Sequence, residues 1–182
     1  MKNITLLTLL LLSFSCQSSS SAQRSIAISG LVPFSGTSTA SGDVEKTGMS
    51  LRLENREGHR GAGLELRQAA YAVASEPSIS DSEGMELAAI FRRYTDVSNN
   101  ALFLEASPIL GFGAENDGGV DSGTYALLRL AAGFRWMLDE RIYFDVDGGY
   151  YFSLMAGDNN WVGGETSDAN GADINLSLGF FF

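Results

Sequence analysis

The sequence predicts an all-β protein, an eight-stranded antiparallel up-and-down transmembrane β-barrel. Three observations predict it. Segments with a side-chain period of two recur from Ser25 to Phe182, the connections between them alternate between short and long, and each segment has one apolar face and one charged face. Strands whose two faces differ in this way must cover the apolar one with a core or with lipid, because an exposed apolar strand aggregates in water.

The chain opens on an export signal. Lys2 gives the positive n-region, Ile4 to Leu12 form an apolar stretch too short to span a bilayer, and Ser20-Ser21-Ala22 has the small residues of a cleavage site. Cleavage after Ala22 divides the chain into a signal peptide, 1–22, and an outer-membrane barrel domain, 23–182. Ser13-Phe14-Ser15-Cys16 offers an alternative, a lipoprotein signal, with Ser13 where that motif wants Leu. Cys16 is the only cysteine, so a chain cleaved after it has no disulfide.

Composition removes several function classes. The 182 residues are 45% apolar with a mean hydropathy of +0.03, which means that apolar residues are interleaved rather than blocked. No run after residue 12 could cross a bilayer as a helix. A net charge of −10 and a pI near 4.4 argue against nucleic acid as a partner, since phosphate binding needs a basic patch. Twenty-one glycines against three prolines suit strands and turns.

Strands are expected near 25–34, 48–55, 61–73, 85–95, 101–114, 124–137, 142–155 and 172–182. In the second, Met49, Leu51 and Leu53 oppose Ser50, Arg52 and Glu54. A short turn at 56–60 joins it to the third, and centring that turn between Gly58 and His59 sets Arg52 opposite Glu65. The turn at 96–100, centred between Ser98 and Asn99, sets Arg92 opposite Glu105 and Tyr94 opposite Phe103. In the fifth strand Pro108 predicts a bulge, because a closed barrel has no edge to accept a proline. The sixth places Ala126, Leu128, Leu130, Ala132, Phe134 and Trp136 on one face and Arg129, Ala131, Gly133 and Arg135 on the other. The seventh opposes Ile142, Phe144 and Val146 to Tyr143, Asp145 and Asp147, and a turn centred on Glu140 sets Arg135 opposite Asp145. The last strand sends Ile174, Leu176, Leu178, Phe180 and Phe182 one way and Asp173, Asn175, Ser177 and Gly179 the other.

Small residues decide which face is inside. A solvent face has no reason to set Gly111, Gly113, Ala131, Gly133, Gly149 and Gly179 beside its charges, whereas the narrow lumen of an eight-stranded barrel does. Arginine suits buried ion pairs, and lysine occurs only as Lys2 and Lys46. The expected lumen network is therefore Arg52, Glu65, Arg92, Glu105, Arg129, Arg135, Asp145 and Asp147, joined by Glu54, Arg67, Glu86 and Asp173.

On these residues the chain resembles the small outer-membrane β-barrels of the OmpA/OmpX type. The resemblance rests on the aromatic-terminated strand Asp173 to Phe182, on Phe103-Leu104-Glu105-Ala106 leading to Gly111-Phe112-Gly113, and on the pair Ala132 to Trp136 and Phe144 to Tyr150. It implies that the last strand is read by the barrel-assembly machinery, with Phe182 as the terminal aromatic and Phe180 and Gly179 in support.

The other candidates have plainer readings. His59 is the only histidine and lies in a short turn, on the wrong side of the membrane for a lipid-acting Ser/His/acid enzyme. Asp145 and Asp147 have the spacing of paired carboxylates, but Arg135 makes them structural ion pairs. The Gly-rich stretches 111–119 and 163–164 lack the following helix and lysine of a phosphate cradle. Trp136, Tyr143, Tyr150, Tyr151 and Trp161 fit interfacial girdles or loop packing. The long connections at 35–47, 74–84, 115–123 and 156–171 are acidic. Glu115, Asn116, Asp117 and Asp121 could offer oxygen ligands to a divalent cation, but no EF-hand spacing is present, so no metal or cofactor is assigned.

The expectation is a non-enzymatic barrel of the cell outer membrane, in contact with membrane lipid, with a structural or surface-recognition and adhesion role carried by its long extracellular loops. The extracellular partner is not legible. A narrow porin or small-solute channel is the first alternative, and a soluble periplasmic lipocalin-like binder, apolar inside, is the second.

Overall fold

The computed structural model describes residues 22–37, 44–73, 82–98, 100–113, 124–155 and 170–182. They form eight strands: β1 (Gln23–Thr37), β2 (Val44–Glu57), β3 (Arg60–Val73), β4 (Ser82–Tyr94), β5 (Ala101–Gly113), β6 (Thr124–Met137), β7 (Ile142–Met155) and β8 (Asn170–Phe181). Each pairs antiparallel with its successor, and β8 pairs with β1 to close the barrel. All eight predicted strands are present. Several run further than expected, β2 beginning at Val44 and β8 at Asn170, because closure extends the hydrogen-bond ladder into what the sequence reads as loop. At 12 to 15 residues and about 3.3 Å per residue, tilted by about 35–45°, they are long enough to cross a hydrocarbon layer of about 30 Å.

The three short hairpins take the predicted registers. Arg52 faces Glu65, Arg92 faces Glu105, and Arg135 faces Asp145. The first turn is only two residues long, since Glu57 pairs with Arg60, and Gly58 takes φ 56°, where a side chain is strained.

Pro108 corrects an expectation. No bulge forms there, and the β4–β5 register is the same on both sides of it. Instead the ladder skips from Ala88–Ile109 to Phe91–Ala106, because proline has no N–H to donate toward β4, while Pro108 still pairs with Leu128 on β6. The register shifts lie elsewhere, between Pro33 and Ser35 on β1 against β8 and between Ala126 and Leu127 on β6 against β7.

The outer face is apolar around the barrel. Met49, Leu51, Leu66, Leu87, Leu104, Leu130, Phe152 and Leu178 are all exposed, while the arginines and carboxylates of the same strands are buried inside. This polarity is the reverse of a lipocalin, whose apolar residues line the cavity, and so it removes the soluble-binder alternative. Trp136 lies outward beside Phe134 and Phe144, with ring centroids 4.4 and 6.5 Å away, and Tyr150 lies outward against Phe152 at 4.8 Å. Both fit the interfacial girdle. Tyr143 and Tyr151 do not: they are buried in the lumen. Each lies directly across from a glycine, Tyr143 from Gly179 and Tyr151 from Gly171, and a Cβ at either glycine would run into the tyrosine ring. Tyr125 covers Gly111 in the same way. Narrow barrels have room for one large ring per facing pair, and glycine supplies it.

Two substitutions at neighbouring positions of β6, one on each face, test the assignment of faces. Leu130→Arg places a charge toward lipid and is expected to cost about 2–4 kcal/mol at mid-bilayer, whereas Ala131→Ser, facing the lumen, is expected to be mild; refolding into lipid vesicles followed by denaturant titration measures both. Gly179→Ala forces the Tyr143 ring to move and is expected to cost about 1–3 kcal/mol. Gly148→Ala, whose Cβ would meet nothing nearer than the Asp173 carbonyl at 3.9 Å, is expected to fold like the parent chain.

Candidate functional site: the charged lumen

Period-two strands that bury one face carry their alternate residues into the lumen. The buried set there contains six arginines (Arg52, Arg56, Arg67, Arg92, Arg129, Arg135) and seven carboxylates (Glu54, Glu65, Glu86, Glu105, Asp145, Asp147, Asp173) among the described residues. The near balance of charge is necessary, because an isolated ion in a water-poor interior is far too costly to keep.

Toward the short-turn end, Arg135 grips Asp145 with both Nε and Nη2, at 2.8 and 2.9 Å, and donates from Nη2 to Glu54 Oε2 at 2.9 Å. Glu54 also accepts from the Tyr94 hydroxyl at 2.5 Å and from Arg92 at 3.3 Å. The Arg135 guanidinium stacks on the Tyr143 ring, 3.9 Å from its centroid. Arg92 reaches Asp145 at 2.8 Å and Glu105 at 2.7 Å, and lies 4.1 Å over the Phe103 ring.

Glu105 carries the chain of contacts onward. Its other oxygen accepts from Arg129 at 3.1 Å and from the Ser107 hydroxyl at 2.7 Å. Arg129 donates to Asp147 at 2.5 Å and to Asp173 through both Nε and Nη2. Further along, Arg67 bridges Glu65 and Glu86 at 3.1 and 3.4 Å, and Glu86 accepts from Tyr125 at 2.7 Å. Strands β2, β4, β5, β6, β7 and β8 are thus tied across the lumen as well as along the wall.

Arg92–Glu105 and Arg135–Asp145 pair as their facing positions suggest. Arg52 and Glu65 face one another but do not pair. Glu65 takes Arg67, two residues along its own strand, while Arg52 reaches along the wall to the hydroxyls of Ser29, at 3.0 Å, and Ser177, and its Nη1 lies 3.9 Å from Glu105 Oε2 across the lumen. An arginine stem is long enough to pass its cross-strand neighbour, so register alone does not choose its partner. Asp145 and Asp147 are each held by arginines, not poised as an acid and a base.

Sequence reasoning left out Arg56, although the same period of two runs from Arg52 through Glu54 to it. Its Nε donates to the Gly58 carbonyl at 3.1 Å, its Nη2 donates to the carbonyls of Asp96 and Ser98 at 2.7 and 2.9 Å, and it lies 4.0 Å over the Tyr94 ring. It pins two short turns together through backbone carbonyls. In the second turn the Ser98 N–H donates to Asp96 Oδ1 at 3.0 Å, which holds the exposed Asp96 carboxyl below its ordinary value. His59 is exposed, with Nδ1 3.0 Å from the Tyr94 carbonyl oxygen. Among the described residues no group of three His, Cys, Asp or Glu side chains is placed to hold a metal ion.

In β8, Gly179 lies inward beneath Tyr143, while Phe180 and Phe182 point outward at the seam. The Phe182 N–H donates to the Arg24 carbonyl at 3.0 Å, and the Phe181 N–H donates to the Arg141 carbonyl at 2.8 Å, so this end is held from both neighbouring strands. The acidic loop residues, Glu115, Asn116, Asp117 and Asp121 among them, Trp161 and the signal segment up to residue 21 lie outside the described residues.

No protein-family model matches the sequence, and no curated protein aligns with it significantly. Solved structures do match. The crystal structure of Neisserial surface protein A superposes with a TM-score of 0.67 at 13% identity, over 91% of this chain and 100% of that one. The outer membrane protein AlkL, solved in lipid bilayers, gives 0.53 at 10% identity over 92% and 94%. The outer membrane protein OprG of Pseudomonas aeruginosa gives 0.52 at 11% identity over 89% and 96%. The chain has the fold of the small eight-stranded outer-membrane β-barrels.

Removing one member of the network leaves its partners charged and buried. Arg135→Ala is expected to cost about 3–5 kcal/mol, and adding Asp145→Ala is expected to recover part of it, since Glu54 retains Arg92 and Tyr94; equilibrium unfolding of the refolded barrel in detergent measures the cycle.

Proposed function

We propose that this chain is a non-enzymatic barrel of the outer membrane, whose wall and lumen are structural and whose long connections, facing outward from the cell, carry a recognition or adhesion role. The single observation that supports it is the guanidinium–carboxylate network that crosses the lumen from Arg67 to Arg135. Large side chains held to one another at 2.5–3.4 Å occupy the lumen and oppose a continuous water column. The lumen carboxylates are engaged by arginines, and His59 rests on a backbone carbonyl in a short turn, so no nucleophile–base pair is assembled there. The long connections are then the parts free to recognise something. Short turns toward the periplasm and long loops outside is the ordinary orientation of this fold.

The assembly role of Gly179, Phe180 and Phe182 belongs to the same proposal. Its support is that β8 forms the closing seam with β1 and that the Phe182 N–H is bonded to the Arg24 carbonyl there.

The channel reading is the one to test against. Planar-bilayer recordings of the purified protein are expected to show no stable open state, and reproducible conductance steps would replace the structural reading with a porin. Deleting Phe182 is expected to slow assembly in cells more than it lowers the stability of the refolded barrel, as read from the faster migration of unheated samples in SDS gels.

A further inference from the structure

The outer face carries an arginine pair that the lumen network does not use. Arg60 on β3 and Arg93 on β4 are directly opposite in the ladder, and both point outward, exposed, at the short-turn end. Like charges facing one another across a sheet are destabilising. The arginines of the lumen ion pairs are Arg52, Arg67, Arg92, Arg129 and Arg135, and Arg60 and Arg93 are not among them. Glu57 faces Arg60 from β2, which still leaves this row with one net positive charge.

A groove begins at Arg93, the β4 member of this pair. It is a depression of about 490 Å3 on the outer wall, lined by Arg93, Phe91, Leu104, Ala106 and Leu130. A second depression, of about 600 Å3, shares Leu104 and Leu130 and continues over Ala132, Gly148 and Ala172. Small outward residues on neighbouring strands, between taller Leu and Phe side chains, make the trough. From Arg93 the lining passes around the wall through Leu104 and Ala132 to Gly148, which face one another in turn along the ladder. Arg93 lies at the short-turn end of β4, whereas Ala132 and Gly148 lie well inside β6 and β7, so the lining runs from the level of headgroups toward that of acyl chains.

We propose that Arg60, Arg93 and this groove form a binding site for an anionic phospholipid of the periplasm-facing leaflet. The phosphate bridges the two guanidiniums and one acyl chain lies over Ala106, Ala132 and Gly148. Arginine suits the headgroup because its planar fork donates two parallel hydrogen bonds to a phosphate and is weakly hydrated. A bridging anion also removes the repulsion that the ladder imposes on the pair. A second copy of this chain fits less well, since it would bring an identical cationic pair to the same row. The inference rests on the outward face meeting lipid, and it stands or falls separately from the role of the loops.

Native mass spectrometry of the detergent-purified protein, titrated with phosphatidylglycerol or with phosphatidylcholine, tests it. The parent chain is expected to retain phosphatidylglycerol preferentially. Arg60→Gln with Arg93→Gln is expected to weaken that retention by about tenfold, the loss of one or two charge-assisted hydrogen bonds. Ala106→Phe, which fills the groove and leaves both arginines, is expected to weaken retention of both lipids. Heat-modifiable migration in SDS gels establishes that each variant is a folded barrel. Equal retention of the two lipids by the parent chain, undiminished retention in either folded variant, or a mass of two chains in place of a lipid adduct would overturn the proposal.

Discussion

Closure of the sheet is the constraint on which the rest of this protein depends. Once β8 pairs with β1 there is no edge, every strand has a backbone partner on both sides, and each inward side chain shares a lumen of fixed width with seven other strands. That width explains features which look unrelated in isolation. Glycine lies opposite tyrosine because one ring fills the space of two side chains, and arginine is preferred to lysine because its fork satisfies two carboxylates at once. Arg52 divides its contacts between the hydroxyls of Ser29 and Ser177 and the carboxylate of Glu105.

The network also redistributes what each residue contributes. Glu105 meets Arg92 through one oxygen and Arg129 and Ser107 through the other, and Glu54 meets Arg92, Arg135 and Tyr94. No single pair is separable from its neighbours, so the energies of individual contacts do not add. Such an interior is weak evidence for high stability, since its desolvation cost is large, but it strongly specifies one arrangement of the wall. A barrel whose strands are tied across the lumen holds a fixed arrangement of strand ends.

The outer face follows a different rule. Lipid asks only for apolar surface, so shape there is free to vary, and the trough over Ala106, Ala132 and Gly148 is tolerated where a lumen position would have been filled. The break in the β4–β5 ladder at Pro108 lies on the same wall and shows that the closed sheet absorbs one missing donor without shifting register.

Period, turn spacing and the placement of small residues were enough, by themselves, to determine the eight strands, the inward face and all three short-hairpin registers, because each is a local property of the chain. Arg92 with Glu105 and Arg135 with Asp145 were legible for the same reason. What the sequence could not decide was any contact that crosses the lumen. Arg52 facing Glu65 yet binding Ser177, 125 residues away, Arg135 donating to Glu54, 81 residues away, and Arg56 joining two separate turns all bring together residues far apart in the chain. Only closure of the sheet sets those distances, and long side chains then choose among partners that no period or spacing reveals.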